Sequence, residues 1–165
     1  MAKQKVIIYW LIPAAEYREL FVQLINILAA EFDAPRFDPH LTLGRGRDAK
    51  ALRQVKAGSV RLRVREVSHS SKFTKTLFVR FSPNASLKDL IADVGGKSGS
   101  VRDPHISLLY KRVGGGLKRQ LAATIRLPFR EVVFDSIKAV QCPSPTRTRA
   151  DVESWRVIAT KRLSG

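Results

Sequence analysis

Two short strings with the same order of residue types could transfer protons. One reads DPHLTLGRG from Asp38 to Gly46, and the other reads DPHISLLYK from Asp103 to Lys111. In each string a histidine stands two residues before a hydroxyl side chain, and imidazole is the side chain that exchanges protons near neutral pH. Cleavage of a phosphate ester needs such a pair, because a neutral imidazole can act as the base while an imidazolium acts as the acid.

The alternation of apolar and polar residues predicts that each string runs into a β-strand. Side chains two residues apart share a face of a strand, so His40 lies beside Thr42 and His105 lies beside Ser107. The hydroxyls can then hold the oxygens of a phosphate. The residues that face the other way are apolar and are expected in a core: Leu41, Leu43, Ile106 and Leu108.

A single histidine at the head of a strand is more often a capping or solvated residue, and only the repetition favours a functional site. The remaining histidine, His69, has no such string, and we expect it in an exposed loop without a chemical role. A metal site is a weaker alternative, because no carboxylate or cysteine stands at ligand spacing. Asp38 and Asp103 each precede a proline and are expected to point away.

The composition fits one domain in the cytoplasm. The chain has 165 residues, 44% of them hydrophobic, which is enough for a sizeable core. Its single cysteine, Cys142, cannot form an internal disulfide, so folding does not need an oxidising compartment. The apolar run near the N-terminus ends at Pro13, too short for a leader or a membrane span. We therefore expect a cytoplasmic protein that acts as a monomer and contacts no membrane.

The charge is strongly positive, with 30 Lys and Arg against 14 Asp and Glu and a net charge of +16. Such an excess attracts polyanions, of which nucleic acid is the usual one, although a general surface property explains it equally well. Four cations stand after the two histidine–hydroxyl pairs: Arg45, Arg47, Lys111 and Arg112. If the two strands run side by side toward one rim of a cleft, these cations would hold further phosphates of an RNA strand.

Hydrophobic periodicity predicts an α+β fold in which strands and helices are interleaved. Strands are expected over KVIIYWLIP, HLTLGR, SVRLRVREVSHS, TKTLFVRFS, HISLLYKR, REVVFDSIKAVQC and SWRVIATKRL. Helices are expected over AAEYRELFVQLINILAAEF, DAKALRQVKAG, NASLKDLIADVGG and LKRQLAATI, and PSPTRTRADVE is expected to be a polar loop. The apolar residues at helical spacing in the first helix are Leu20, Leu24, Ile27 and Leu28. The repeated string suggests two similar lobes about a pseudo-twofold axis, which would present both histidines to one cleft.

The strings HLTL and HISL are similar to the His-x-Thr/Ser-x signature of the 2H phosphoesterase superfamily. The chain resembles in particular the 2′,3′-cyclic phosphodiesterase branch and the related RNA 2′-5′ ligases. The flanking strings YWLIP, EFDAPRFDPHLTL, PHISLLY and ESWRVIA also follow the order of that family. The resemblance therefore covers nearly the whole chain.

The resemblance implies a single domain over residues 1–165, with motif 1 at 40–43 and motif 2 at 105–108. It implies two pseudo-symmetric lobes with antiparallel sheets around a central cleft and helices outside. His40 and His105 would transfer protons, and Thr42 and Ser107 would hold the phosphate. The residues expected to bind the rest of the substrate are Trp10, Tyr110 and Phe73 from the resemblance, and Arg45 from the charge.

The implied reaction is hydrolysis of a cyclic phosphate on ribose, with no metal or other cofactor. The substrate would be a 2′,3′-cyclic nucleotide, an RNA end that carries a cyclic phosphate, or ADP-ribose 1″,2″-cyclic phosphate. Two alternatives stay open. The chain could be an RNA 2′-5′ ligase or another RNA-end-processing enzyme, or a non-catalytic RNA-binding module on the same fold.

Overall fold

A computed structural model describes residues 3–95 and 103–164 and confirms the α+β fold. The strands are β1 (Gln4–Pro13), β2 (Leu41–Gly46), β3 (Val60–His69), β4 (Leu77–Phe81), β5 (His105–Leu109), β6 (Glu131–Ser144) and β7 (Arg156–Arg162). The helices are α1 (Ala15–Phe32), α2 (Ala85–Asp93), α3 (Gly115–Thr124) and α4 (Arg149–Glu153). Two 3₁₀ segments cover Ala49–Gln54 and Phe73–Lys75. None of the helices within the described ranges is both long and apolar enough to cross a bilayer.

The seven strands form one antiparallel sheet in the order β1-β2-β5-β4-β3-β6-β7. β1 also pairs with β6, so the pairings from β1 to β6 form a closed ring. The long strand β6 joins the two halves of this ring, because its first residues pair with β3 and its later residues pair with β1 and β7. The strands that carry the two motifs, β2 and β5, lie next to each other between these halves.

The core lies on one side of the strands, and the motif strands contribute to it as expected. Leu41, Leu43, Ile106 and Leu108 are all 1% exposed or less. They pack with apolar residues of β1, β3, β4 and β6 and with helices α1 and α2. Burial of these alternate residues leaves the opposite face of β2 and β5 for the motif side chains.

Helix α1 buries a different stripe from the one expected. The buried residues are Phe21, Ile25, Leu28 and Ala29, whereas Ile27 is 62% exposed. The sequence from Leu20 to Ala30 is apolar on most of the helix circumference, so periodicity alone does not fix the rotation of the helix. Packing does fix it, since the Phe21 ring lies 5.7 Å from the ring of Phe129.

Several boundaries also differ from the sequence predictions. The segment expected as a helix up to Gly58 is only a 3₁₀ turn, and α3 begins inside the glycine turn, at Gly115. Asn84 caps α2 as predicted by accepting from the Leu87 amide, while Gly96, at the expected end of that helix, lies outside the described residues. His69 ends strand β3 and is half-buried, not in an exposed loop.

Candidate active site

Strands β2 and β5 meet at a single registered pair, Leu41 with Ile106. Because the leucine and isoleucine point into the core, the neighbouring side chains on both strands point to the opposite face. There His40, Thr42, His105 and Ser107 all line one cavity of about 330 Å³. The structure thus brings the four motif residues together, as the repeated strings predicted, while their chemical roles remain predictions.

Both histidines are held by the same local hydrogen bond. His40 Nδ1 lies 2.7 Å from the carbonyl oxygen of Asp38, and His105 Nδ1 lies 2.8 Å from that of Asp103. A carbonyl oxygen can only accept, so each Nδ1 carries the proton and donates it. In the neutral form of each ring this leaves Nε2 with its lone pair, ready to accept a proton from a substrate or water.

His40 is deeply buried, with 5% of its surface exposed. The indole of Trp10 stacks on its ring with centroids 3.7 Å apart and an interplanar angle of 11°. Burial lowers the pKa of His40 to about 4, and nearby His105 and Lys138 also lower it, against the raising effect of the Asp38 carbonyl and carboxylate. His40 is therefore neutral at physiological pH.

His105 is less enclosed and lies in a more charged environment. Burial is the main cause that lowers the pKa of His105, while the Asp103 carbonyl and carboxylate raise it and Lys75 and Arg80 lower it. Arg80 Nε donates to Asp103 Oδ1 at 2.7 Å, and Lys75 bonds the other carboxylate oxygen. Burial raises the pKa of Asp103, but the bonds from Lys75 and Arg80 outweigh it and hold this pKa below its usual value.

The two hydroxyls are not equivalent. Thr42 is exposed and lies opposite Trp10 in the pairing of β1 with β2, and no group in the described ranges hydrogen-bonds its hydroxyl. Ser107 is 4% exposed, and its hydroxyl donates to the Thr74 carbonyl oxygen at 2.7 Å. Thr42 can therefore donate to a phosphate oxygen directly, whereas Ser107 must turn its hydroxyl away from Thr74 first.

The predicted aromatic residues have different positions. Trp10 and Tyr110 line the cavity with the histidines. Burial raises the pKa of the Tyr110 hydroxyl. Phe73 is not among the lining residues, and its ring lies 6.0 Å from that of Tyr110. Phe73 therefore supports the wall of the cavity and does not form it.

Sequence analysis missed Trp155, which also lines the cavity. Its indole makes edge contacts with the rings of Trp10 at 5.2 Å and His40 at 5.6 Å. The preceding segment, expected as a loop, contains α4, whose capping box joins Thr148 and Asp151. The Thr-x-x-Asp spacing was the available signal for this helix, which places Trp155 at the cavity.

The expectation that four cations gather at one rim of the cleft is wrong. β2 and β5 are antiparallel, so the residues that follow the two motifs leave the site in opposite directions. Arg45 and Arg47 line a separate cavity together with Tyr9, and the Lys111 amino group bonds the carbonyl of Phe32. The structure therefore gives Arg45 no place in the cavity of the histidines.

The described part of the chain contains no group of three or more His, Cys, Asp or Glu side chains placed to hold a metal ion. Asp38 and Asp103 turn their carboxylates to cations: Arg18 bonds Asp38 at 3.1 Å, and Arg80 bonds Asp103. The aspartates of the two strings are thus engaged in ion pairs, and reaction without a metal stays a prediction to be tested with a chelator.

No protein-family model and no curated protein sequence matches the chain. Solved structures match it over almost its full length. A phosphoesterase has a TM-score of 0.62 and 14% identity, covering 98% of this chain and 100% of its own. Escherichia coli LigT, in complex with phosphate, has a TM-score of 0.58 and 14% identity over 99% and 100% of the two chains. A protein of Thermus thermophilus has a TM-score of 0.57 and 16% identity over 97% and 98%.

These neighbours confirm the expected architecture. The chain has the 2H phosphoesterase fold that LigT shares, with a closed antiparallel sheet and helices packed against it. At such low identity the likeness establishes the fold, and the chemistry must be argued from the site itself.

Proposed function

We propose that this protein is a phosphodiesterase that hydrolyses 2′,3′-cyclic phosphates of ribose by acid–base catalysis between two histidines. One observation carries the proposal. Two imidazoles, each fixed by a backbone carbonyl at Nδ1, line the same cavity beside two hydroxyls. Such a set can accept a proton from water, donate one to a leaving oxygen and hold the phosphate between them.

In the proposed reaction His40 is the base. Its Nε2 takes a proton from a water molecule, whose oxygen attacks the phosphorus while the bond from phosphorus to one ribose oxygen breaks. His105, protonated at Nε2, gives its proton to that ribose oxygen. The product is a ribose phosphate monoester, and the two histidines return to their starting states by exchanging protons with solvent.

The surroundings favour this division of roles. His40 lies under Trp10 with a pKa of about 4, so the neutral form required of a base is the dominant one. His105 is less buried than His40, and the carbonyl and carboxylate of Asp103 oppose the burial, Lys75 and Arg80 that lower its pKa. The negative charge of a bound phosphate would raise the pKa of both rings and so favour the protonated form of His105, the less buried of the two.

The hydroxyls would hold the non-bridging oxygens of the phosphate. Thr42 has its donor available, and Ser107 can exchange its bond to Thr74 for one to the phosphate. Hydrogen-bond donors placed where negative charge develops are among the largest contributions to such a reaction. LigT, which has this fold, has been solved with 3′-AMP, a compound of the kind that opening a 2′,3′-cyclic phosphate releases.

A second candidate is RNA 2′-5′ ligation, which the charge of +16 favours because it requires two RNA strands in one site. In that reaction the 5′-hydroxyl of the second strand takes the part that water plays in hydrolysis, and the bond from phosphorus to the 3′-oxygen breaks. The same base and acid serve both reactions. The nucleophile that the protein admits decides between them.

The test is to incubate the protein with 2′,3′-cyclic AMP in EDTA and follow the phosphorus by NMR. We expect conversion to an adenosine monophosphate, and no conversion by a double variant His40→Ala and His105→Ala that melts at the same temperature. A parallel reaction contains an oligonucleotide with a cyclic phosphate end and one with a 5′-hydroxyl, so that a joined product reveals ligation. Absence of both products would leave a non-catalytic RNA-binding role.

A further inference from the structure

A second cavity of about 500 Å³ borders the cavity of the histidines. The two share Trp10 and Trp155 in their linings. The indole Nε1 of Trp155 donates to Thr146 Oγ1 at 3.3 Å, which fixes the ring as the wall between them. Both volumes lie in the range of small-molecule sites, about 300–1,000 Å³.

The second cavity has the side chains that a nucleotide needs. Phe37 and Trp155 give it aromatic walls, and Asn26 on α1 gives it an amide that can both donate and accept. Arg36 adds a guanidinium, the group best shaped to hold a phosphate through two hydrogen bonds. Aromatic faces with a nearby cation are the usual means of binding single-stranded nucleic acid.

Two acidic residues, Asp38 and Glu153, line this cavity beside Arg36. Asp38 is paired with Arg18 at 3.1 Å, and Glu153 is paired with Arg149 at 2.6 Å. Neither of these arginines lines the cavity. Arg36 is exposed, and none of the side chains in the described ranges forms an ion pair with it. Arg36 is thus the charged lining residue that has no ion-pair partner within the described ranges.

We propose that this second cavity binds a second nucleotide unit, joined through phosphate to the ribose whose cyclic phosphate lies between the histidines. The proposal rests on the proposed function and specifies its substrate as larger than a cyclic mononucleotide. The base of the second unit lies against Phe37 and Trp155, with Asn26 on its polar edge, and Arg36 holds the connecting phosphate. Trp155 separates the two units.

Two substrates share this chemistry. In an RNA strand that ends in a 2′,3′-cyclic phosphate, the second unit is the preceding nucleotide. In ADP-ribose 1″,2″-cyclic phosphate, it is the AMP half of the molecule. Each carries a ribose with a cyclic phosphate and, beyond a phosphate or diphosphate link, a nucleoside with its own base.

The experiment compares kcat/KM for three substrates at physiological salt: 2′,3′-cyclic AMP, the dinucleotide ApA with a 2′,3′-cyclic phosphate end, and ADP-ribose 1″,2″-cyclic phosphate. Stacking of one base in the second cavity should raise kcat/KM. We therefore expect at least one of the two larger substrates to exceed the cyclic mononucleotide by about 5- to 100-fold. A higher value for the dinucleotide would mean that the second cavity binds RNA. A higher value for the ADP-ribose compound would mean that it binds the AMP half of that molecule. Equal values for all three would overturn the proposal.

Variants show whether the preference comes from this cavity. Arg36→Gln should lower it by about tenfold through loss of a charged hydrogen bond to phosphate. Asn26→Ala should lower it by a smaller factor. The matched control is Arg45→Gln, an exposed arginine whose cavity shares no lining residue with the second cavity. A preference that survives Arg36→Gln and Asn26→Ala, or that falls equally in Arg45→Gln, would contradict the assignment.

A binding measurement separates this proposal from the proposed function. Calorimetry compares 3′-AMP with the dinucleotide ApA carrying a 3′-phosphate, neither of which requires turnover. If the dinucleotide binds more tightly than 3′-AMP, and if Arg36→Gln abolishes this difference, the second cavity is supported even when no substrate is hydrolysed. Equal binding of both ligands by a protein that hydrolyses cyclic AMP overturns the second cavity alone.

Discussion

The two motifs have the same backbone geometry but different surroundings. Each histidine donates from Nδ1 to the carbonyl two residues earlier, at 2.7 Å for His40 and 2.8 Å for His105. His40 then lies under Trp10 with little solvent contact, whereas His105 meets the edge of Phe78 and a group of charges formed by Lys75, Arg80 and Asp103.

This difference separates what a motif fixes from what its neighbours fix. The Asp-Pro-His string sets the tautomer of the histidine. In both motifs the backbone carbonyl of the aspartate accepts a hydrogen bond from the Nδ1–H group. Burial and the surrounding charges set the protonation of each ring, and Trp10, Lys75 and Arg80 come from other parts of the chain. Two copies of one string can therefore take the opposite roles of base and acid.

The sharpest test of these roles varies the leaving group. On 2′,3′-cyclic AMP, His40→Ala and His105→Ala should each lose on the order of 10² to 10⁴ in kcat. Bis(p-nitrophenyl) phosphate releases a stable anion that needs no proton, so His105→Ala should there remain within about tenfold of the parent rate. His40→Ala should still be impaired, because water must be deprotonated with either substrate.

Release of p-nitrophenolate, followed by absorbance, gives the rates, and His69→Ala serves as the control histidine. Recovery of His40→Ala in place of His105→Ala would reverse the roles. Near-parental turnover of cyclic AMP by either folded variant would remove both histidines from the mechanism.

The hydroxyls should differ in how they affect stability and rate. Thr42→Val should lose about 3–4 kcal/mol of transition-state stabilisation, with a melting temperature near that of the parent. Ser107→Ala should lose rate and, in addition, about 1 kcal/mol of folding stability, because the carbonyl of the half-buried Thr74 loses its donor. Urea unfolding and kcat measured on the same samples separate the two effects. Full turnover per folded molecule in Thr42→Val would make that hydroxyl structural.

Much of this site could be predicted from the sequence because it depends on local rules. The two-residue period of a strand predicted that His40 and Thr42 share one face. The structure confirms this, because Leu41 and Leu43 on the opposite face are buried. The position of the cations depended instead on strand direction. Because β2 and β5 pair antiparallel, Arg45 and Lys111, which follow the two motifs, leave the site in opposite directions.

Trp155 shows the other limit of sequence reasoning. Its neighbours Trp10, His40 and Tyr110 are distant in the chain, and no periodicity joins them. Only the capping box at Thr148 marked the helix that leads into it. The contacts that set the pKa of each histidine are likewise tertiary, which is why the strings alone did not assign the base and the acid.

Folding stability should depend on pH through His40. Its pKa is about 4 in the folded protein and 6.5 when exposed, so between these values the unfolded chain binds the additional proton. The contribution is fully present above pH 6.5 and is lost as the pH falls, and the loss reaches roughly 2–3 kcal/mol by pH 4. Urea unfolding at pH 7, 5 and 4 measures it. His40→Gln should have a shallower pH dependence than the parent and than His69→Gln, and identical slopes in all three would contradict the burial of a neutral His40.

The smallest predicted effect is a difference between the pH–rate profiles of variants at the two aspartates, Asp38 and Asp103. Asp103 raises the pKa of His105, and its removal would also release Lys75 and Arg80, which lower that pKa. Asp103→Asn should therefore shift the limb of the pH–rate profile that reports the acid to lower pH and reduce kcat a few-fold at neutral pH.

Asp38→Asn also removes a charge that raises the pKa of its histidine, but His40 is already neutral at that pH, so its rate at neutral pH should not change. Asp103→Glu tests position, and it should restore the profile if the carboxylate acts by its charge. Equal shifts in Asp38→Asn and Asp103→Asn would mean that the two motifs share one electrostatic environment, and the assignment of base and acid would lose its physical basis.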